Sequence, residues 1–342
     1  MGDNVRIVID TIGGDNGAAV CVKGAVKAVK KNPNISIILT GHADELNKLL
    51  ASEKYDESGI EVINATEEIS LHEKPVEAVR KKKESSLVIA MNLLKEGKAD
   101  ALISAGSSGA VLAGGQFIIG RAKGVKRAPL APLIPTTGEP SLLIDCGANV
   151  DAKPEVLVQF AKMGSIYMES VMGVENPRVA IVNIGAEEEK GNQLVKETMP
   201  LLKAVKDINF MGSCEARDIA LGGCDVAICD AFVGNCVLKM YEGVGKMFMG
   251  ELKTAIKSGP LALLGGALLK GALKKTLGRF DAKQYGGAPV LGLKGLVVKV
   301  HGNTDGREIK HAVQQCYDFV KADAVNKIAE SIEADQAKEA AE

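Results

Sequence analysis

Short apolar runs, rich in β-branched residues and leucine, alternate along this sequence with longer helix-like stretches, and this alternation most constrains the fold. Such runs are typical of strands buried on both faces of a sheet. Their alternation with helices predicts an α/β protein with a doubly wound, mostly parallel sheet. The predicted strands cover residues 5–10, 35–40, 99–104, 142–145, 179–183, 226–229 and 296–300.

Composition narrows the class of function. The 342 residues are 46% hydrophobic and carry a net charge of −1, so no overall field favours nucleic acid or an anionic membrane. Aromatic residues make up only 4%, which disfavours a stacking platform for single-stranded nucleic acid. Seven cysteines without a CxxC pair argue against a disulfide framework and a zinc site. We therefore expect a cytoplasmic protein with no signal peptide, no membrane-spanning segment, no bound metal and no nucleic acid partner.

No internal repeat and no long linker divides the chain. We predict one catalytic α/β domain over residues 1–332. A single long helix is expected to begin at Asp305. Its Ala- and Glu-rich end, residues 333–342, is expected to be a frayed acidic tail.

The loops that follow the strands are the candidate functional site, because ligands of such sheets bind beyond the carboxyl ends of the strands. Glycines let the backbone approach a ligand, and the helix N-termini behind them offer free N–H groups that suit phosphate. None of these loops matches a strict nucleotide motif, and each alone could be an ordinary strand-to-helix turn. The candidate substrate-binding residues are Gly13, Gly14, Asp15, Gly106, Ser107, Ser108, Gly109 and Asn149.

Three polar side chains in these loops are candidate catalytic groups. Lys190 is either a surface lysine or a cation held over a phosphate or a developing oxyanion. Asn235 is predicted to cap a helix, with orientation of a carbonyl or phosphate oxygen as its alternative role. His301 follows the last strong strand, where an acid–base role and a structural role are equally compatible. Ser107 and Ser108 are also predicted to cap their helix.

The segment 258–277 is apolar but interrupted by Gly and Pro. On a helical wheel its leucines share a stripe and two lysines lie opposite. This pattern is typical of a basic amphipathic segment at a membrane surface, and equally of a core hairpin or a dimer contact. We predict a membrane-facing hairpin and a homodimer that brings two hairpins to one side. The predicted membrane-contacting residues are Leu261, Leu264, Leu268, Lys270 and Lys274.

Seven sequence blocks stand out when the loops are taken in order. The blocks are IDTIGGDN from residue 9, ADALISAGSSGA from 99, DCGANVD from 145, QFAKMGS from 159, NPRVAIVNIGAEEEKG from 176, CDVAICDAFVGN from 224, and QYGGAPVLGLKG from 284 with VHG from 300. Together they resemble the PlsX family of phosphate acyltransferases. Because all seven match in the same order, over about residues 5–320, the resemblance is far more specific than any single loop.

The resemblance implies an α/β/α sandwich related to isocitrate dehydrogenase and phosphotransacetylase, acting as a homodimer. The implied reaction converts acyl-[acyl carrier protein] and inorganic phosphate to acyl phosphate and free carrier, for phospholipid synthesis, with no cofactor. Peripheral association with the inner face of the cell membrane is also implied, and a downstream glycerol-3-phosphate acyltransferase is a further candidate partner. The functional Lys and Asn of the family fall on Lys190 and Asn235.

Three loops depart from the family pattern. Ser107 and Ser108 replace an Asn-Thr pair, Ala231 replaces a Gly, and Ile12 replaces a Met.

Three other functions are alternatives to the one that the resemblance implies. A phosphotransacetylase that uses coenzyme A is the nearest alternative enzyme, but it would not need the apolar segment. A nicotinamide-dependent dehydrogenase would want metal-binding aspartates and a nucleotide loop. A membrane scaffold without activity would not explain the loops at the strand ends.

Overall fold

A computed structural model describes residues 4–339, and this range contains eleven strands and twelve α-helices. The strands are β1 Val5–Asp10, β2 Ile35–Gly41, β3 Ile60–Asn64, β4 Ala101–Ser104, β5 Leu133–Ile134, β6 Ser141–Ile144, β7 Arg178–Asn183, β8 Asn209–Glu215, β9 Val226–Ile228, β10 Ala288–Val290 and β11 Leu296–Lys299. The helices are α1 Gly17–Lys31, α2 Ala43–Ala51, α3 Pro75–Lys81, α4 Ser86–Lys95, α5 Ser108–Gly114, α6 Pro154–Ser170, α7 Gln193–Ala204, α8 Ala216–Ala220, α9 Ala231–Ile256, α10 Pro260–Gly278, α11 Gly306–Lys321 and α12 Ala324–Glu339.

The strands form two mostly parallel sheets. The first has the order β10-β11-β4-β1-β2-β3 and the second the order β5-β6-β9-β7-β8. Only β10 and β5 run antiparallel to their neighbours. Successive residues of β1 enter different apolar clusters, Ile7 and Ile9 on one face and Val8 on the other, so helices cover both faces. The predicted α/β/α sandwich is confirmed.

A short antiparallel connection makes the two sheets continuous. Residues 129–131 exchange backbone hydrogen bonds of 3.0 Å with residues 289–291. The same segment leads into β5, which pairs with β6 through Leu133 opposite Leu142. The two sheets and the core around them are therefore continuous.

All seven predicted strands are present, and four further strands were not predicted. β5 and β10 have only two and three residues, too few for a recognisable pattern. β3 and β8 lie at the outer edges of the sheets and are largely half-buried or exposed, so they lack the continuous apolar run of a central strand.

The C-terminal region differs from its prediction in two ways. The expected single helix from Asp305 is instead two helices, α11 and α12. The predicted tail 333–342 is wrong where the structure describes it, because α12 continues into it. Asp335 there lies 2.6 Å from Nζ of Lys162, a buried lysine on α6. Residues 340–342 lie outside the described range.

Segment 258–277 is also different from its prediction, because it is not a hairpin by itself. Its residues form α10, and the hairpin consists of α9 and α10 together. The Tyr241 hydroxyl of α9 donates to the carbonyl of Pro135 at 2.7 Å. Beyond this contact none of the α9 residues, nor any residue of α10, is buried in the described structure. We call residues 242–278 the helical arm. No helix in residues 4–339 is both long and apolar enough to cross a membrane.

Candidate functional site

The loops after β1, β4 and β11 come together at the carboxyl ends of these strands, and we call them the first loop cluster. The N–H of Asp15 donates to the carbonyl of Gly302 at 2.8 Å. A methyl group added to Gly13 would lie 3.0 Å from the Cα of Gly106, and Gly13 has a φ of +93°, so both close approach and backbone conformation require glycine there. The structure thus joins the predicted residues Gly13, Gly14, Asp15 and Gly106.

Asp10, the last residue of β1, holds the backbone of this cluster. Its buried carboxylate accepts hydrogen bonds from the hydroxyls of Ser86 at 2.5 Å and Ser104 at 2.7 Å. The Ser104 oxygen in turn accepts from the N–H of Gly106 at 3.1 Å. Burial raises the pKa of Asp10, and the two serine hydroxyls oppose that rise. Sequence reasoning missed this residue because it treated Asp10 only as the end of a strand.

Lys299, the last residue of β11, is a buried cation in the same cluster. Its Nζ donates to the carbonyl of Ala105 at 3.4 Å and to the carbonyl of Val300. Burial lowers the pKa of Lys299 to about 8, and nearby carboxylates oppose that fall. Sequence reasoning missed Lys299 too, although a lysine inside an apolar strand was a usable signal. The carboxylates that face it are Glu308, Asp10 and Asp15.

His301 begins the loop after β11 and is exposed. Its backbone N–H donates to one carboxylate oxygen of Glu308 at 3.1 Å, and its Nδ1 accepts from the N–H of Asn303 at 3.4 Å. The second carboxylate oxygen of buried Glu308 has no hydrogen-bond partner among the described residues. Nζ of Lys283 lies 3.7 Å from that oxygen. The loop therefore leaves the imidazole accessible, while its backbone is held by a buried carboxylate.

The serine loop after β4 differs in part from its prediction. Ser107 occupies the N-cap position of α5, but its side chain accepts no capping hydrogen bond. Ser108 is exposed in the first turn of α5 and is not a cap. Gly109 lies against the ring of Pro75, where an added methyl group would be 2.6 Å from Cγ. Neither serine hydroxyl serves as the predicted cap.

The loops after β6, β9 and β7 form a second loop cluster. The buried Asp145 carboxylate accepts hydrogen bonds from four backbone N–H groups, including that of Leu130 at 3.0 Å. The Asn149 amide donates to Asp145 at 2.7 Å and to the carbonyl of Ala128 at 3.1 Å. The N–H of Ala231 donates to the carbonyl of Asn149 at 2.9 Å. Asn149 therefore braces this cluster, and only its side-chain oxygen is left for a ligand.

The predicted helix cap at Asn235 is wrong. Asp230 caps α9 instead, and its carboxylate accepts from the N–H of Val233 at 2.8 Å. Asn235 lies in the second turn of α9 and is exposed. The adjacent Gly234 packs so closely that an added methyl group would lie 1.9 Å from the carbonyl oxygen of Asp145. The first turns of α9 are thus fixed on the loop after β6.

Lys190 lies in the loop after β7, which neighbours β9 in the sheet. Its Nζ is 2.7 Å from Oε1 of Glu187, and the lysine side chain is 47% exposed. This hydrogen bond raises the pKa of Lys190, so the ammonium stays charged. The Asn183 amide donates to the carbonyl of Lys190 at 3.1 Å and anchors the loop. The cation is therefore accessible and held by its own loop.

Strand direction places the two loop clusters on opposite sides of the continuous sheet, where strands of opposite direction have their carboxyl ends. β10 runs against β11, with Ala288 opposite Lys299. Residues 129–134 run against β10, and β6 runs against β5. β6, β9 and β7 therefore point opposite to β1, β4 and β11, so one chain does not join Lys190 and Asn235 to the first loop cluster.

In the described part of the chain the cysteines are not paired with one another. All seven cysteines are free, and six of them are buried while Cys236 is exposed. Within residues 4–339 no three His, Cys, Asp or Glu side chains are grouped so that they could hold a metal ion.

The α/β/α fold of the chain is shared with solved proteins of similar size. A phosphotransacetylase from Streptococcus pyogenes is similar, with a TM-score of 0.63 and 16% identity, over 94% of this chain and 95% of that one. A branched-chain phosphotransacylase from Enterococcus faecalis V583 has a TM-score of 0.56 and 14% identity, over 92% and 99%. At these identities the likeness shows the fold alone.

Sequence comparison shows the family. The profile of a family described as "Fatty acid synthesis protein" matches residues 5–327. A phosphate acyltransferase from Clostridium perfringens (strain SM101) is 49% identical over 96% of this chain and 97% of its own. One from Clostridium acetobutylicum is 48% identical, over 96% and 98%. The chain belongs to this family, the PlsX family that its loops resemble, and it is an acyltransferase.

Proposed function

We propose that this protein transfers an acyl group from acyl-[acyl carrier protein] to inorganic phosphate, giving acyl phosphate for phospholipid synthesis. Relatives named phosphate acyltransferase support acyl transfer to phosphate. The observation that carries the proposal is the meeting of three glycine-containing strand ends at Gly13, Gly106 and Gly302. Backbone approaches an anion most closely where side chains are absent, so this cluster suits a phosphate.

The chemistry needs anion binding more than a strong base. A phosphate oxygen attacks the thioester carbonyl carbon, a C–O bond forms, the C–S bond breaks, and the thiolate leaves and takes a proton. The site must therefore hold phosphate and stabilise an oxyanion with N–H donors and cations. In this proposal, which uses the homodimer that the resemblance implies, the first loop cluster of one copy binds phosphate and its His301 supplies the proton. Lys190 and Asn235 of the second copy stabilise the oxyanion. No cofactor takes part in these steps.

Helices α9 and α10 support a homodimer and a membrane contact. Met240, Met247 and Phe248 of α9 are 60–69% exposed, and Leu261 and Leu268 of α10 are 85% and 81% exposed. Apolar surface of this extent marks an interaction site. We assign the α9 surface to a second copy and the α10 leucines to the inner face of the membrane. α10 contains lysines but no Asp or Glu, which suits anionic lipid. The cytoplasmic product would then pass to a downstream glycerol-3-phosphate acyltransferase.

The test is thiol release from acyl-[acyl carrier protein], followed with and without inorganic phosphate. We expect release only with phosphate, together with an acyl phosphate that hydroxylamine traps. Thiol release at the same rate with and without phosphate, or no thiol release at all, would refute the proposal. Acetyl-coenzyme A as the better donor would favour the phosphotransacetylase reading.

The same assay tests Lys190. Replacing it with Ala should lower turnover by roughly 100–1,000-fold, the usual cost of losing one oxyanion donor. Lys203→Ala is the matched control, because Lys203 pairs with Glu188 of the same loop. Near-normal turnover of a folded Lys190→Ala protein would remove Lys190 from the site.

A further inference from the structure

We infer that the surface at the end of α3 and just after α5 is where the acidic carrier protein docks when it presents the acyl thioester. The inference rests on the proposed function and adds where the macromolecular donor binds. We call this surface the docking face. It consists of Val76, Arg80, Lys83 and Phe117, which are all exposed.

The docking face lies at the far end of two helical segments that start beside the first loop cluster. Pro75, the first residue of α3, lies against Gly109 in the first turn of α5, where an added methyl group would be 2.6 Å from its Cγ. At the other end, the Arg80 guanidinium lies 5.3 Å from the centroid of the Phe117 ring. α3 and the segment 108–117 therefore run side by side, from the serine loop outward to the docking face.

The length of this segment suits the arm of a carrier protein. Phe117 is nine positions after Ser108, which corresponds to roughly 13 Å along a helix. A carrier protein holds its acyl thioester at the end of a pantetheine arm, and the extended arm is longer than this distance. The carrier must therefore dock away from the reacting atoms, and the docking face lies within reach of its arm.

The docking face is basic, although the chain as a whole is not. Residues 74–84 contain five basic and two acidic side chains, a net charge of +3, whereas the whole chain carries −1. Arg80 lies over the Phe117 ring rather than beside an acid of residues 4–339. Nζ of Lys83 donates to the carbonyl of Val79 at 3.4 Å, so its charge is not neutralised there. Both cations are therefore available to an acidic partner.

Phe117 gives the docking face an apolar centre. Its side chain is 53% exposed, and Val76, one helix turn before Arg80, is 40% exposed. Phe117 belongs to a π-helical turn, Gly115–Ile119, and such turns occur frequently at functional sites. Aromatic residues and arginine are the types enriched at the centres of protein interfaces. This face therefore fits a partner helix that has an apolar ridge flanked by acidic residues.

Charge reversal tests the docking face. Arg80→Glu combined with Lys83→Glu is the test variant, and Lys27→Glu combined with Lys30→Glu is the control with the same change of charge. Lys27 and Lys30 are exposed on α1, which covers the opposite face of the first sheet. In phosphate-dependent thiol release, the test variant should raise the KM for acyl-[acyl carrier protein] about 10-fold or more. Its kcat and its KM for phosphate should match wild type, and the control should match wild type throughout.

Two further measurements separate docking from a structural role. Attraction to an acidic partner is screened by salt, so the wild-type kcat/KM for the carrier substrate should fall between about 50 and about 500 mM NaCl. The test variant should lose this fall, and the control should keep it. With the acyl thioester of pantetheine, which has no carrier protein, the test variant and wild type should have the same kcat/KM.

A second variant tests the apolar centre without changing charge. Phe117→Ala should also raise the KM for the carrier substrate, but it should keep the salt dependence, because an apolar contact is not screened. Met211→Ala, which shortens a residue of β8 that is 54% exposed, is the matched control and should leave this KM unchanged.

An unchanged KM for the carrier substrate in the folded test variant overturns the inference, and so does an equal loss of kcat/KM with the pantetheine donor. A test variant that becomes monomeric by light scattering assigns the face to a second copy, and one that no longer floats with anionic liposomes assigns it to a membrane. Either result also overturns the inference. Phosphate-dependent release by wild type upholds the proposed function in all of these cases, so the two claims fail separately.

Discussion

Replacing Lys299 with Met should make the stability difference from wild type depend on pH. The buried ammonium faces Asp10, Asp15 and Glu308, yet burial still lowers the pKa from 10.5 to about 8. That fall of about 2.5 pH units corresponds to about 3 kcal/mol of unfolding free energy, at 1.36 kcal/mol per unit. The fold bears this cost whenever Lys299 is charged.

The sign follows from proton binding. Below pH 8 both folded and unfolded chains hold the proton, so the full cost is present. Between pH 8 and 10.5 the folded chain has lost the proton and the unfolded chain has kept it, so wild-type stability rises with pH. Methionine does not titrate. The unfolding free energy of wild type minus that of Lys299→Met should therefore increase by about 2 kcal/mol from about pH 7 to about pH 9.5.

Urea unfolding of both proteins at the two pH values measures this change. Lys27→Met, which removes an exposed lysine from α1, controls for the loss of a charge as such. A difference between wild type and Lys299→Met that stays the same at both pH values would refute the reasoning. It would mean that Lys299 is not held charged in a desolvated site.

Two further predictions concern packing and the membrane. Gly234→Ala should lower the unfolding free energy by about 1–3 kcal/mol or more, because the added methyl group would lie 1.9 Å from the carbonyl oxygen of Asp145. Gly243→Ala is the control in the same helix, because a methyl group there would have no atom within 4 Å. Equal melting temperatures of the two variants would contradict the packing argument. Replacing Leu261, Leu264 and Leu268 with Glu should abolish flotation with anionic liposomes and leave thiol release unchanged, since these side chains are 60–85% exposed. Continued flotation would exclude α10 as the anchor.

The buried centre of the fold could be predicted from sequence, because a strand covered on both faces must be apolar throughout. The edge strands β3 and β8 could not be predicted in this way, because their exposed positions interrupt the run of apolar residues. The site loops were found by their glycines. Asp10 was missed because it ends an apolar strand, where a single polar residue resembles the start of a loop. Lys299 was missed because the predicted strand 296–300 was interpreted only by its apolar residues.

The error at Asn235 has a related cause. The sequence contains two residues that can cap the helix start, Asp230 and Asn235, five positions apart, and local pattern does not choose between them. Tertiary packing decides, because β9 ends at residue 228 and Gly234 must lie against Asp145. The relative direction of strands in the two sheets could not be predicted from the sequence either. It depends on the pairing of residues 129–131 with residues 289–291, about 160 positions later in the chain.

The continuous sheet has a consequence for synthesis of the chain. β4 pairs with β1 on one side, but its other neighbour, β11, is made about 190 residues later. At roughly 5–20 residues per second, β4 waits on the order of 10–40 s with a free edge. Unpaired strand edges are templates for pairing with other chains. The nascent protein therefore passes through a stage in which its central strand needs shielding, and truncation anywhere before β11 leaves that edge permanently open.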